Sequence, residues 1–400
     1  QEVKRMQIGS YRFDRVEFAG SLGDLGTLIP LAIGLVTING LSFSAVFLWV
    51  GLFYLVSGFY YKLPIPVQPL KLVSAIAIAF PEKISLAVIS ATGLLFGGAL
   101  IILAFTGLID QLARLFTKPI VRGIQLGLGL ILMIKGIEFI NRPELLLNNS
   151  DITTSLGGVP INTLLGLVAL VLVLSLISSR RFPAALVIVA LGIVVAIPFG
   201  SVNGLAWRFG PSPIELVTPG TDDFLTALFL LVIPQLPLTI GNAIIGTTDT
   251  AKNLFGTGEA TARVSNRHLS FGMGLANLFV GLMAAMPVCH GAGGLAAHYR
   301  FGARTGGSNI MIGLLFILIA LGFGGIGIIL LSAIPNAVLG VLLLFAGLEL
   351  ALLIRDITER RDLFIAFLIA GIGLATTNMS IAFVSGIIIA RFLHWRRIDI

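Results

Sequence analysis

From Val16 to Leu393, apolar runs of about 20 residues, each long enough to cross a hydrocarbon core of about 30 Å, follow one another with only short polar breaks. The chain is 56% hydrophobic and 11% charged, whereas a water-facing surface needs about a quarter of its residues charged. These two facts predict an all-α integral membrane protein set in the lipid bilayer, with no extramembrane domain. The first twenty residues carry basic side chains but no apolar stretch ahead of a small-residue cleavage site, so no signal peptide is expected there.

Approximate spans fall at 16–39, 43–60, 67–80, 84–106, 119–140, 161–179 and 184–199. After the polar stretch GSVNGLAWRFGPSPIELVTPGTDD they resume at 223–248, 269–286, 290–300, 308–330, 332–353, 361–375 and 377–394. Charge placement supports about 14 spans. With the N-terminus inside, 21 of the 26 Lys and Arg residues fall on the inner side, 4 fall outside, and Lys71 stays within the membrane. Lys and Arg collect on the cytoplasmic side of membrane proteins, so both termini are expected to be cytoplasmic. The net charge of +7 is then a record of topology, and no nucleic-acid partner is expected.

Two series of seven spans imply that the second enters the membrane upside down relative to the first, the inverted repeat of many secondary transporters. A local match agrees. PIPVQPLKLVSA (64–75) and MPVCHGAGGLAA (286–297) each follow the second span of their series, and both run from Pro-Val through polar or small residues into a short helix-compatible run.

The third and tenth spans are too short to cross as full helices. Pro64, Pro66 and Pro69 forbid regular helix before about residue 68, and Gly291, Gly293 and Gly294 make helix costly before Leu295. Both should enter as extended backbone and turn helical near the midplane, which is tolerated only against protein or a water-filled cavity. The unpaired N–H groups and positive dipole ends of two such half-helices would make an anion site. Gly291, Gly293 and Gly294 would let the backbone approach an oxyanion closely.

Several polar residues sit at membrane depth. Lys71 lies in the first turn of the third span, where a cation is costly and by default functional or paired; it either contacts the anion or snorkels or pairs with a carboxylate. Gln68 precedes it. Asp24 and Thr27 are three apart in the first span, and the eighth carries Gln235, Thr239 and Asn242, with Asp249 nearer its inner end. A carboxylate beside an anion would repel it, so Asp24 and Asp249 are read as coupling or structural groups. His290 can titrate in the physiological range and either contacts substrate or couples a proton, or serves as a helix cap or interhelical hydrogen-bond donor. Gly97, Gly98, Gly127 and Gly129 are read as close helix packing. Substrate-binding candidates are therefore Thr27, Gln68, Lys71, Gln235, Asn242, His290, Gly291, Gly293 and Gly294.

No enzyme is expected: the sequence has no HExxH, no serine nucleophile elbow and no paired carboxylates at a span centre. The single cysteine, Cys289, argues against a disulfide or a Cys-ligated metal, and no metal or cofactor is expected. Without a Walker motif, direct ATP drive is set aside. A dianion entering against a negative-inside potential costs about 2.3 kcal/mol per charge per 100 mV, so accumulation needs coupling, with protons through Asp24, Asp249 or His290 as one source.

GSLGDLGTLIP (20–30) and CHGAGGLAAHYRFGARTG (289–306) resemble the two signature segments of the molybdate transporter family, a relative of the SulP sulfate transporters. VQPLKLVSA, KPIVRGIQLGLG, GLANLFVGLMAAMPV and the run from RRDLF to GIIIARFL resemble SulP sequences more weakly. The resemblance implies a fold of 7+7 spans, with a core of 16–106 and 223–330 and a gate of 107–199 and 331–394. It implies molybdate, or a similar tetrahedral oxyanion, held between the third and tenth spans and moved by an elevator-like slide of core against gate. It also implies pairing of two copies through gate helices. SulP proteins typically add a STAS domain after the last span; the end of this chain at Ile400 leads to the expectation that none follows. Molybdate and sulfate are both tetrahedral dianions, so chemistry alone leaves sulfate as the alternative substrate, and a non-transporting anion sensor or channel as the alternative of another kind.

Overall fold

The computed structural model describes residues 7–147, 155–176, 184–199 and 208–396. Lys4, Arg5, Arg180, Arg181 and Arg397 of the charge count lie outside the described residues, as do residues 200–207 of the polar stretch.

The apolar runs are helical, as their missing backbone partners in lipid demand. In chain order the helices are α1 (Arg15–Ser21), α2 (Leu25–Thr37), α3 (Phe43–Tyr61), α4 (Lys71–Ala79), α5 (Leu86–Thr106), α6 (Ile109–Leu115), α7 (Lys118–Ile140), α8 (Ile161–Leu176) and α9 (Ala184–Ala196). They continue with α10 (Thr221–Thr226), α11 (Ile233–Leu238), α12 (Thr247–Phe255), α13 (Asn266–Leu282), α14 (Ala292–Phe301), α15 (Gly307–Ser332), α16 (Asn336–Ala351), α17 (Arg360–Thr376) and α18 (Met379–Arg396). Hydroxyls start several of them: Ser42 accepts from Ala45 N–H and Ser85 from Val88 N–H, replacing an absent intrahelical partner.

Two runs are interrupted. A turn of 3₁₀ helix at Leu22–Asp24 separates α1 from α2, and π-helical turns at Ala227–Val232 and Thr239–Gly246 join α10, α11 and α12 into one rod. Pro234 and Pro237 in that rod have no N–H to donate, and wide turns around them absorb the mismatch. Among the described residues, seven helical stretches are long and apolar enough to cross a membrane: Arg15–Thr37, Phe43–Tyr61, Leu86–Thr106, Lys118–Ile140, Thr221–Phe255, Gly307–Ser332 and Asn336–Asp356. Large apolar side chains such as Phe105, Val171, Leu318 and Ile388 stand exposed on the outside, as they must on a multi-pass protein whose surface meets lipid.

Helices from the two ends of the chain pack in pairs, α3 on α15, α5 on α13 and α7 on α16. Glycines set the spacing. Gly51 and Gly58 meet Gly313 and Gly306, Gly93 and Gly97 meet Gly281 and Gly274, and Gly129 and Gly136 meet Gly347 and Gly340. A Cβ at Gly136 would stand 2.5 Å from the Gly340 carbonyl oxygen, so the backbones touch as small-residue helix contacts in lipid require. Gly127 lies against Met379, but Gly98 faces open space and is not a packing glycine.

Ahead of α4 and α14 the chain is extended. Gln68–Pro69 and Val288–Cys289 pair antiparallel, with Gln68 opposite Cys289 and Pro69 opposite Val288, and Leu70 N–H donates to Pro287 O at 2.9 Å. Buried side chains satisfy the carbonyls that no helix can reach: Tyr54 Oη donates to Val67 O, Asn277 Nδ2 to Val288 O and Asn309 Nδ2 to Ile65 O. Helix α14 starts at Ala292, earlier than the expected start near Leu295, and takes Gly293 and Gly294 into its first turn. The helical cost of these glycines is outweighed at Gly294, where a side chain would collide with Asp24 and Gln68.

Candidate functional site

Lys71 is the first residue of α4 and is partly buried. Among the described residues its ammonium forms no ion pair. It opens on a cavity that it lines together with Gln68 and Cys289 of the paired strands, Gln235, Leu238, Thr239, Asn242 and Ala243 of the long rod, Gln125 of α7 and Leu350 of α16. The cavity measures about 20 Å³, the scale of a single water.

Its polar lining is biased towards donors, and the bias follows from the protein's own hydrogen bonds. Leu72 N–H, which can only donate, reaches Gln235 Oε1 at 3.1 Å, so the amide oxygen is fixed there and the nitrogen is turned to Thr239 Oγ1 at 3.0 Å. The Thr239 hydroxyl, having accepted that bond, keeps its proton to donate. Arg122 Nη1, also only a donor, reaches Gln125 Oε1 at 2.8 Å, leaving both Gln125 N–H bonds for the cavity. With the Lys71 ammonium and the Asn242 amide, this wall suits an oxyanion, whose oxygens only accept.

Asp24 stands beside this wall, not in it. Gln68 Nε2 donates to both carboxylate oxygens, at 2.8 and 2.7 Å, and a Cβ at Gly294 would be 2.6 Å from Asp24 Oδ2 and from Gln68 Nε2. The carboxylate thus lies against the first turn of α14, where a helix dipole favours negative charge. Thr27, one turn along α2, faces the same carboxylate.

The sequence candidates therefore separate. Gln68, Lys71, Gln235 and Asn242 come together around the cavity; Thr27 and Asp24 form its immediate support. Gly291, Gly293 and Gly294 do not line it. A side chain at Gly291 would strike the Gln68 amide, and Gly293 faces open space; at Gly291 and Gly294 the missing side chain leaves room for Gln68 and Asp24. His290 is also turned away: its Nδ1 lies 2.8 Å from Pro66 O and its ring stacks on Phe53, 4.8 Å between centroids. His298 repeats the arrangement two turns on, with Nδ1 3.0 Å from Pro64 O. The two imidazoles hold carbonyls of the proline segment that have no helical donor. Asp249 is exposed on α12, outside the cavity. Cys289, a packing residue, directs its thiol at Pro69 O. Among the described residues, no cluster of side chains that would hold a metal is found.

Gln125 and Arg122 were not among the candidates. The available signal is the single glutamine of the fifth span, three residues after an arginine and so on the same helix face.

The fold is similar to that of the transmembrane domain of the cyanobacterium bicarbonate transporter BicA, with a TM-score of 0.68 at 17% identity, covering 95% of this chain and 99% of that one. Molybdate transporter 2 of Arabidopsis thaliana is 30% identical over 421 residues, 96% of this chain and 88% of the relative. Molybdate transporter 1 of the same plant is 32% identical over 407 residues, 94% of this chain and 87% of the relative. These relatives carry the names of transporters, in keeping with the reading of the chain as no enzyme. The profile of the family described as "Molybdate transporter of MFS superfamily" matches residues 16–132 and 227–350, segments that contain α4, α14, the long rod from Ala227 and both walls of the cavity. The chain is an integral membrane protein of the molybdate transporter family.

Proposed function

We propose that this protein is a secondary active transporter of molybdate that works by elevator-like alternating access. The observation that carries the proposal is the cavity at the start of α4, where Lys71 and the fixed donors of Gln125 and Thr239 converge. The names of its relatives give molybdate precedence over sulfate.

The arrangement has two supports. Gln68 and Cys289 occupy corresponding positions in the matching segments 64–75 and 286–297, and they face each other across the strand pair. The Gly-mediated pairs α3·α15 and α5·α13 exchange under the same correspondence. Both features favour an inverted repeat of seven spans, and the distribution of Lys and Arg favours cytoplasmic termini. The cavity is also too small for a tetrahedral oxyanion, and its walls come from the proposed core (α4 and the rod) and the proposed gate (α7 and α16). Entry of the ion therefore requires core and gate to shift against each other. The exposed face of the gate helices is where a homodimer would form.

Asp24 serves as the coupling group in this reading. Protonating it weakens the Gln68 pairing beside the site and cancels a negative charge next to an incoming dianion. Purified protein in proteoliposomes should take up molybdate saturably, keep doing so in excess sulfate, and lose accumulation when the proton gradient is collapsed. Equal inhibition by sulfate would make the protein a general oxyanion carrier. Accumulation indifferent to the proton gradient would remove the role of Asp24.

A further inference from the structure

Gln125 is 4% exposed and belongs to α7, across the cavity boundary from the helices that carry Lys71 and Gln235. A buried glutamine in a membrane helix is costly unless its amide is paired, yet only one end of this amide is. Its oxygen accepts from Arg122 Nη1 at 2.8 Å, and its nitrogen makes no hydrogen bond among the described residues. Arg122 is held in turn. Its Nε and Nη2 engage Asp356 Oδ1 and Oδ2 at 3.0 and 2.6 Å, a two-pronged contact that fixes the plane of the guanidinium. Lys118 Nζ adds a bond to Asp356 O at 2.7 Å. Asp356 closes the turn that follows α16, so this chain of contacts ties together α7 and α16, the closely packed pair on one side of the cavity.

Arginine cannot accept, so Gln125 cannot rotate its amide without setting N–H against guanidinium. The Asp356–Arg122 pair therefore presents two N–H donors to the cavity from a frame that does not include α4. We infer that Gln125 is an anion-contacting residue of the transport site, with Arg122 and Asp356 as its positioning residues. The site is complete only while the α4 side faces α7. An anion held by Lys71 and Gln125 together loses the Gln125 contact when the two sides slide apart, which lowers affinity in the displaced state and assists release.

The inference rests on the proposed oxyanion site, and its test separates the two. Initial rates of molybdate uptake into proteoliposomes are measured over a concentration series for the parent, Gln125→Ala, Gln125→Glu, Asp356→Asn and the Gln125→Ala/Asp356→Asn double variant. Gln125→Ala should raise KM about tenfold or more, the loss of a hydrogen bond to a charged partner, and by more than it lowers Vmax. Gln125→Glu retains an acceptor for Arg122 and turns a carboxylate oxygen into the cavity, so uptake should vanish at concentrations that saturate the parent. Asp356→Asn should raise KM in the parent but add nothing in the Gln125→Ala background, since the two residues act through one contact. A parent-like KM in Gln125→Ala, or a full additional effect of Asp356→Asn in that background, overturns the inference while leaving the transporter reading intact. A parent without saturable molybdate uptake overturns both.

Discussion

Replacing Lys71 with alanine is expected to abolish molybdate uptake while leaving the protein folded. Lys71 is the basic residue at the start of α4, and its ammonium forms no ion pair among the described residues. The buried carboxylate beside the site, Asp24, keeps its Gln68 bonds when Lys71 is removed and loses only the attraction of the ammonium. What is lost is the full positive charge in a cavity otherwise lined by neutral groups. Removing one charged partner from a buried contact costs about 3–5 kcal/mol, a factor of roughly a hundred to several thousand in affinity. Uptake by Lys71→Ala should therefore be indistinguishable from empty liposomes, with the protein still folded in detergent and its melting temperature lowered by no more than a few degrees. Lys71→Arg keeps the charge but not the shape, and its partial recovery would separate charge from geometry. Uptake by Lys71→Ala at the parent's rate would place the ion elsewhere.

Gly294→Val should be nearly as severe, for a different reason. Even the first added carbon would lie 2.6 Å from both Asp24 Oδ2 and Gln68 Nε2, far inside contact distance, and both are held in place by their mutual bonds. Either α14 moves away or the Asp24–Gln68 pair breaks; overpacking of this kind costs about 1–3 kcal/mol, and a broken pair leaves a buried carboxylate without its Gln68 donor. The expected result is loss of uptake together with a melting temperature several degrees below the parent. Gly293→Ala is the control. Its Cβ would enter open space, and near-parent uptake is expected. Normal uptake by Gly294→Val would mean that the Asp24–Gln68 contact has no part in transport.

Much of this organisation was legible in the residues themselves. Membrane helices are readable because lipid leaves the backbone no alternative, and the two half-helices are readable because proline cannot donate and glycine weakens helices. Lys71 stood out because a lone cation at that depth has to be explained. Other features were hidden, because they depend on which direction a side chain takes. The glycines 291 and 294 suggested a backbone open to an anion, but Gln68 and Asp24 fill the space beside them. His290 had the chemistry of a coupling group, but its ring is turned to the carbonyl of Pro66, one of several groups that compensate the proline segment. In the sequence Gln125 is one glutamine among mostly apolar neighbours. Its significance arises from contacts far apart in sequence, through Arg122 to Asp356, 234 positions along, which no local pattern displays.

The proposed oxyanion site lies at the start of α4, between the long rod and α7. The most direct measurement is a density map of the protein with tungstate, a tetrahedral oxyanion of molybdate's shape that scatters more strongly. The expected result is a single strong peak within hydrogen-bonding reach of Lys71 Nζ, with the Thr239 hydroxyl and the Gln125 amide nitrogen around it, in a cavity widened from its present 20 Å³. A peak only at the C-terminal end of α7, near Arg142 and Asn141, or no ordered peak in protein that transports molybdate, would contradict it.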